Sequence, residues 1–347
     1  MSVPEMAGGR TRAYLEFVAA VVFYFLARTV AHHSATGLAN DVWAPLIEQA
    51  VLLFLLVLGF AGFGLVFDRQ KHPLAEQGLP FRPGWQKEAG LGVAIGWGAA
   101  VACVLPLTVA GGIAIVLSTQ PASWGWFLVD AVFFMLAAMV EEVAFRGYGF
   151  QRFAAVVGPV GAALGFAAFY AVLQALQPGS SKLSVGVSVL FSLLLSMAYF
   201  RTRALWVSWG LNFGWKASRA LIFGLAVSGV SSHSSVVEGD PMGPFWMTGG
   251  GYGLDGSWIA LIVLAALLPV VYRFTRELDY RYNVPVFVPG GIPVDIEAAA
   301  RSQHEANMGT VEPTAPSLVQ ILPAASPASE RVDVQKGEAE GSRSSPV

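Results

Sequence analysis

Eight apolar windows, each long enough to cross a bilayer at about 1.5 Å per helical residue, constrain this chain more than any motif it carries. They fall near residues 13 to 31, 43 to 67, 88 to 118, 124 to 145, 157 to 176, 183 to 200, 204 to 224 and 257 to 273. With 55% hydrophobic and 13% charged residues in 347, the chain is too apolar for an ordinary soluble domain. The expected fold is an all-α polytopic membrane protein of about eight transmembrane helices. Residues 1–12 form a short N-terminus and 13–273 the transmembrane domain. The first window could imitate a secretory signal, but it holds Glu16 and Arg28 and lacks a small-x-small cleavage site, so it counts as the first span.

An even number of spans puts both termini on one side, together with every second loop. Arg10, Arg12, Arg69, Lys71, Arg82, Lys87, Arg146, Arg152, Arg201, Arg203, Arg273, Arg276 and Arg281 all fall there, and on the other side only Lys182 lies in a loop. The positive-inside rule therefore makes both termini cytoplasmic, and the expected location is the plasma membrane of a prokaryote. The segment 225 to 256 carries no basic residue and is rich in Gly and Ser. Its Trp246 and Tyr252, with Trp258 just beyond, read as interfacial anchors rather than as catalytic groups. From about residue 286 the sequence loses periodicity and becomes rich in Pro, Ala, Ser and Glu, so 286–347 reads as a disordered cytoplasmic tail. Net charge is -2, and nothing points to a nucleic-acid partner; the surrounding partner is membrane lipid.

The polar residues that remain inside the spans are few. Residues 141 to 146 read EEVAFR at the end of an apolar run, and charges at such depth mark a working site by default. Glu142 and Arg146 are four apart and share a helical face, whereas Glu141 points about 100° away and is available to another helix. Asp130 lies three turns before Glu141; it and Glu48 read as helix-helix hydrogen-bonding partners. The seventh window adds Asn212, Lys216 and Arg219, with Lys216 one turn after Asn212 and facing the same way. In the third window Gly92 and Gly96 form a small-xxx-small pair that lets helices approach closely. Arg28 and Lys182 read as side chains that snorkel to the outer interface. Cys103 is the single cysteine, which excludes an internal disulfide. The histidines, His32, His33, His72, His233 and His304, all lie in segments read as loop or tail.

These motifs resemble the CPBP family of intramembrane proteases, the CAAX-protease and bacteriocin-processing or Abi family that includes the Rce1-type prenyl-protein endopeptidases. The resemblance covers roughly residues 74 to 258. EEVAFRGYGFQRF matches the family's EExxxR motif, FAAFYAVLQALQPG its Phe-xxx-His segment and RALWVSWGLNFGWK its His-xxx-Asn segment. It implies hydrolysis of peptide bonds at the cytoplasmic membrane face, with Glu141 as the catalytic glutamate, Glu142 and Arg146 in support, and a membrane-tethered or lipidated peptide as substrate.

The chain departs from that pattern at both family histidines. With QPG aligned to the family's Asn-Pro-Gly, the second-motif positions fall on Tyr170 and Gln174; aligned through Phe169, the histidine position falls on Leu173. In the third motif the histidine and asparagine positions are Asn212 and Lys216. Gln and Asn orient water and donate hydrogen bonds, but they do not exchange protons near neutral pH and are poor transition-metal ligands. No zinc site of the usual His and carboxylate kind is expected, and no cofactor.

Three functions follow. The first is an intramembrane endopeptidase of impaired activity, in which Gln174 and Asn212 hold the water and the oxyanion for Glu141. The second is a catalytically silent relative that binds a membrane helix or lipidated peptide as a regulator or immunity-type protein, its carboxylates closed off by Arg146 and Lys216. A transporter ranks last, since no internal repeat or paired helix interruption is visible. In either of the first two, the fourth, fifth and seventh spans should converge. Glu141 and Glu142 would then face Gln174 and Asn212 in a cavity open to the cytoplasm.

Overall fold

A computed structural model describes residues 3–118 and 120–283, with two short strands at 286–287 and 293–294. In chain order the helices are α1 (Val3–Leu38), α2 (Ala44–Val66), the single turn α3 (Pro73–Glu76) and α4 (Trp85–Val109). Strand β1 (Ile113–Leu117) precedes α5 (Pro121–Arg146), α6 (Tyr148–Ala175), α7 (Lys182–Thr202) and α8 (Trp206–Ala217), which runs on as a π-helical turn, Ser218–Ile222. Strand β2 (Val237–Pro241), the turn α9 (Phe245–Thr248), two 3-10 turns, α10 (Trp258–Phe274) and α11 (Arg276–Asn283) complete this unit.

Among the described residues, five helical stretches are long and apolar enough to cross a membrane: 9–38, 44–66, 85–109, 121–175 and 182–202. The stretch 121–175 contains two of the eight windows, and the last two windows fall on the shorter α8 and α10. Local chemistry sets several of the boundaries. Proline within the first turn starts α2 and α5, where the missing N–H costs nothing. Ser181 and Ser184 form a reciprocal capping box at the start of α7. Within α6, Gly158 adopts φ +83° and precedes Pro159, a pairing that breaks the hydrogen-bond ladder and bends the helix.

Three expectations need correction here. The third window, 88 to 118, is not one span: α4 ends at Val109, and β1 then pairs antiparallel with β2, Ile113 opposite Pro241 and Leu117 opposite Val237. The fold is thus mostly helical, consistent with an all-α membrane protein, and adds a small ribbon. His32 and His33 are not in a loop but lie on α1, which continues to Leu38. Asp130 does not bridge two helices; it holds the loop after α8, with His233 Nδ1 2.9 Å from Oδ1 and the Ser234 N–H donating to Oδ2 at 2.8 Å. Glu48, by contrast, does join helices, reaching His32 of α1 from α2 at 3.0 Å.

Packing places α8 deep in the molecule. Gly92 and Gly96 of α4 lie against Gly210 and Gly214 of α8 so closely that a Cβ on Gly92 would stand 2.2 Å from the Val207 carbonyl oxygen. A Cβ on Gly210 would be as near the Ala89 oxygen, so only glycine permits this backbone contact. One apolar core, including Cys103, Phe191, Leu211, Trp215 and Leu264, joins α4, α7, α8 and α10. A second, including Leu56, Phe60, Phe145, Tyr148 and Phe166, joins α1, α2, α5 and α6. The polar cluster lies where α5 and α8 meet between them.

A separate unit follows residue 284. Its described part is β3 (Val286–Phe287) paired antiparallel with β4 (Pro293–Val294). The rest of the expected tail lies outside the described residues.

Candidate active site

The end of α5 supplies Glu141, Glu142 and Arg146, and α8, held by its glycine contacts, supplies Asn212 and Lys216. The Asn212 amide nitrogen donates to both carboxylates, to Glu141 Oε2 at 3.0 Å and to Glu142 Oε1 at 3.0 Å. Lys216 Nζ pairs with the other Glu141 oxygen, Oε1. Arg146 Nη1 reaches Glu142 Oε1 at 3.3 Å, while its Nη2 donates to both the carbonyl and the hydroxyl of Ser192 on α7 at 3.0 Å. Two carboxylates and two cations therefore close on one another through a single amide.

The two glutamates differ in exposure. Glu142 is 0% exposed, and such a carboxylate persists only when paired and hydrogen-bonded. The Glu141 side chain keeps 29% of its surface. Its position one residue along the helix turns it towards Lys216 instead of into the bundle. Some buried polar atoms have no partner: Glu142 Oε2, Arg146 Nε and Asn212 Oδ1. Asp68 Oδ2, Gln70 Oε1, Tyr148 Oη and Arg152 Nε are likewise buried without a partner, so such atoms are not peculiar to this cluster. No three His, Cys, Asp or Glu side chains gather as a ligand group among the described residues.

Gln174 takes a different place from the expected one. Its side chain does not bond the glutamates; its Nε2 donates to the Tyr252 hydroxyl and, at 3.4 Å, to Ser228 Oγ. It lines a small cavity of about 20 Å³, room for about one water, with Tyr170, Lys216, Arg219, Ser228 and Asp255. Of the two alignments open at the second motif, the one through Tyr170 and Gln174 puts polar groups into this cavity, whereas Phe169 is 38% exposed and packs on Phe145, and Leu173 packs against an apolar core. The cavity extends from Lys216 towards the loop 223–257, which contributes Ser228 and Asp255 to its lining.

That loop supplies residues that the sequence reading passed over. Trp246 and Trp258 are exposed as interfacial anchors would be, but Tyr252 is buried. Burial, reinforced by the Asp255 charge, raises the Tyr252 phenol above its ordinary value, so it stays a neutral partner for Gln174. Asp255 accepts from Arg219 Nη1 at 2.6 Å and from Ser228 Oγ at 3.2 Å. Arg219 sits on the π-helical turn, donates its Nε to the Trp215 carbonyl and stacks over the Trp215 ring. A π turn resets the register of side chains along a helix and recurs at functional sites; here it carries Arg219 to the loop. The signal that could have found Asp255 is a buried arginine needing a carboxylate, set against an acid closing a glycine run.

Residues 123–218 match the family described as Rce1-like, type II CAAX prenyl endopeptidase Rce1-like. That stretch runs from the first turn of α5 to the end of α8 and contains every residue of the glutamate cluster. The match bears out the resemblance that EEVAFR and the two following motifs carry. No curated protein and no solved structure matches the chain.

Proposed function

We propose, taking residues 123–218 as an Rce1-like CAAX-endopeptidase segment, that this integral membrane protein receives a membrane-tethered or lipidated peptide beside Glu141 and hydrolyses it weakly or not at all. One observation carries the reading: both Glu141 oxygens are engaged by protein donors, Oε1 by Lys216 and Oε2 by Asn212. A water can still reach the remaining lone pairs of Glu141, but only beside an ammonium and an amide that already hold both oxygens. Losing a positioned proton-transfer group costs about 10²- to 10⁴-fold, and Gln174 and Asn212 stand where the family has its two. In this reading the chain acts as a regulator or immunity-type protein that keeps the fold and the docking face of an endopeptidase. The alternation of basic loops supports eight crossings with both termini in the cytoplasm.

A second reading, a slow endopeptidase with Glu141 as base, draws on the partial exposure of Glu141 beside the fully enclosed Glu142. Cleavage of a membrane-tethered peptide separates the two. The expected result is that the native protein cleaves no faster than Glu141→Gln, while Gln174→His with Asn212→His and Lys216→Asn raises the rate. Native cleavage as fast as that of the triple variant, abolished by Glu141→Gln, would establish the endopeptidase instead.

A further inference from the structure

The cavity beside Lys216 ends not in helices but in the loop 223–257, and the loop closes it with its own polar groups. Residues 227 to 230 make a two-residue hairpin: Val227 N donates to Val230 O at 2.9 Å and Val230 N to Val227 O at 3.1 Å. Its central residues, Ser228 at φ +51° and Gly229 at φ +82°, have the left-handed backbone that such a turn demands. For serine that conformation is uncommon and costs about 1 kcal/mol or more. The side chain held there reaches Asp255 and accepts from Gln174. Gly229 N bonds the Tyr252 carbonyl at 3.0 Å, so the hairpin and the Tyr252–Asp255 arm form one stopper.

The stopper is held at its outer end by α5 itself. Asp130, 3% exposed, accepts from the Ser234 N–H and meets His233. Ser234 Oγ donates to the Ser123 carbonyl at 3.2 Å, and Ser235 Oγ lies 2.8 Å from Ser123 Oγ. A helix that carries Glu141 near one end thus grips, near the other, the loop that seals the cavity behind Glu141. Between the hairpin and the ribbon of β1 and β2, these contacts fasten residues 231 to 236 together with the Trp126 ring against His233 and the Ser118 N–H, which donates to the Val236 carbonyl at 2.8 Å.

We infer that the loop 223–257 is a gate, that Asp130 is its latch, and that the polar cavity next to Lys216 and Glu141 is reached from the loop's side of the membrane when the latch opens. The inference concerns the cluster of the proposed function but does not rest on whether hydrolysis occurs.

Ser188, buried on the cavity wall, is the reporter. In a Cys103→Ala background, Ser188→Cys is exposed to a membrane-impermeant maleimide from each face, in intact cells and in inverted vesicles, and modification at position 188 is read by peptide mass. Lys182→Cys, at the start of α7 beside the loop, identifies which preparation presents the loop. Asp130→Ala should accelerate labelling at position 188 about tenfold or more, and only from the face that labels position 182. An oxidised Ser123→Cys, Ser235→Cys pair should suppress it and reduction restore it, which keeps the test decisive if Asp130→Ala does not fold. Labelling from the opposite face, or a rate that neither the latch variant nor the crosslink alters, overturns the gate. Neither outcome depends on peptide cleavage, so failure of the gate and failure of the proposed function are read separately.

Discussion

Two clusters in this protein have the same charge inventory, two acids and two bases. At the basic face, Arg12 and Glu16 of α1 join Asp68, beyond α2, and Arg152 of α6, with contacts of 2.7 Å between Arg12 and Glu16 and 2.9 Å between Arg152 and Asp68. In the core, Glu141, Glu142, Arg146 and Lys216 join α5 to α8. The outer cluster leaves Arg12 59% exposed but encloses Glu16 at 8%, Asp68 at 14% and Arg152 at 22%, whereas in the inner one Glu142 and Arg146 lose nearly all contact with solvent and Glu141 keeps 29%. The clusters differ in single members rather than as wholes: Arg12 meets water, whereas Glu142 and Arg146 meet only protein. Water completes the coordination of exposed charges and screens them. An enclosed carboxylate has only the neighbours the fold gives it, and removal of one of those leaves a charge uncompensated.

Mutation can break or sharpen this contrast. The largest loss is expected for Arg146→Ala, which strands Glu142 and also frees the Ser192 contacts: roughly 3 to 5 kcal/mol, measured by thermal or denaturant unfolding in detergent. A loss no greater than that of an exposed pair would mean that the burial argument is wrong. Lys216→Ala comes next, at roughly 3 kcal/mol by the same reasoning, near the lower limit because Glu141 keeps some water. Adding Glu141→Gln should recover much of that loss, and a double-mutant cycle reads the coupling directly. Independent, additive effects would dissolve the closed network and favour the slow endopeptidase. Arg12→Ala should show the smallest effect, below either inner variant and disappearing at high salt. A large, salt-insensitive loss there would equate the two clusters.

The pairing of Asn212 with the glutamates was legible because EEVAFR and the seventh window put costly polar groups on helices at comparable depth. The close approach of α4 to α8 was also legible, from Gly92 and Gly96. Gln174 was misplaced because its helix breaks at Gly158 and Pro159 and rises towards the loop; a motif spacing does not report which neighbour a helix end meets. Asp130 was misread because its partners, His233 and Ser234, lie 103 and 104 residues away in a segment with no periodicity.

By itself the sequence determined what a local pattern can encode. It set where most of the long helices lie, although the apolar run ending at Leu117 closes in a strand, and which side chains share a face, since a helix repeats every 3.6 residues. It also put Asn212 and Lys216 one turn apart on one helical face. Only the tertiary structure decided that Lys216 and Asn212 occupy both oxygens of Glu141, that the π-helical turn carries Arg219 to Asp255, and that a glycine-rich loop closes the cavity behind them. Those contacts join residues far apart in the chain, and their geometry is set by how helices pack rather than by any residue's neighbours in sequence.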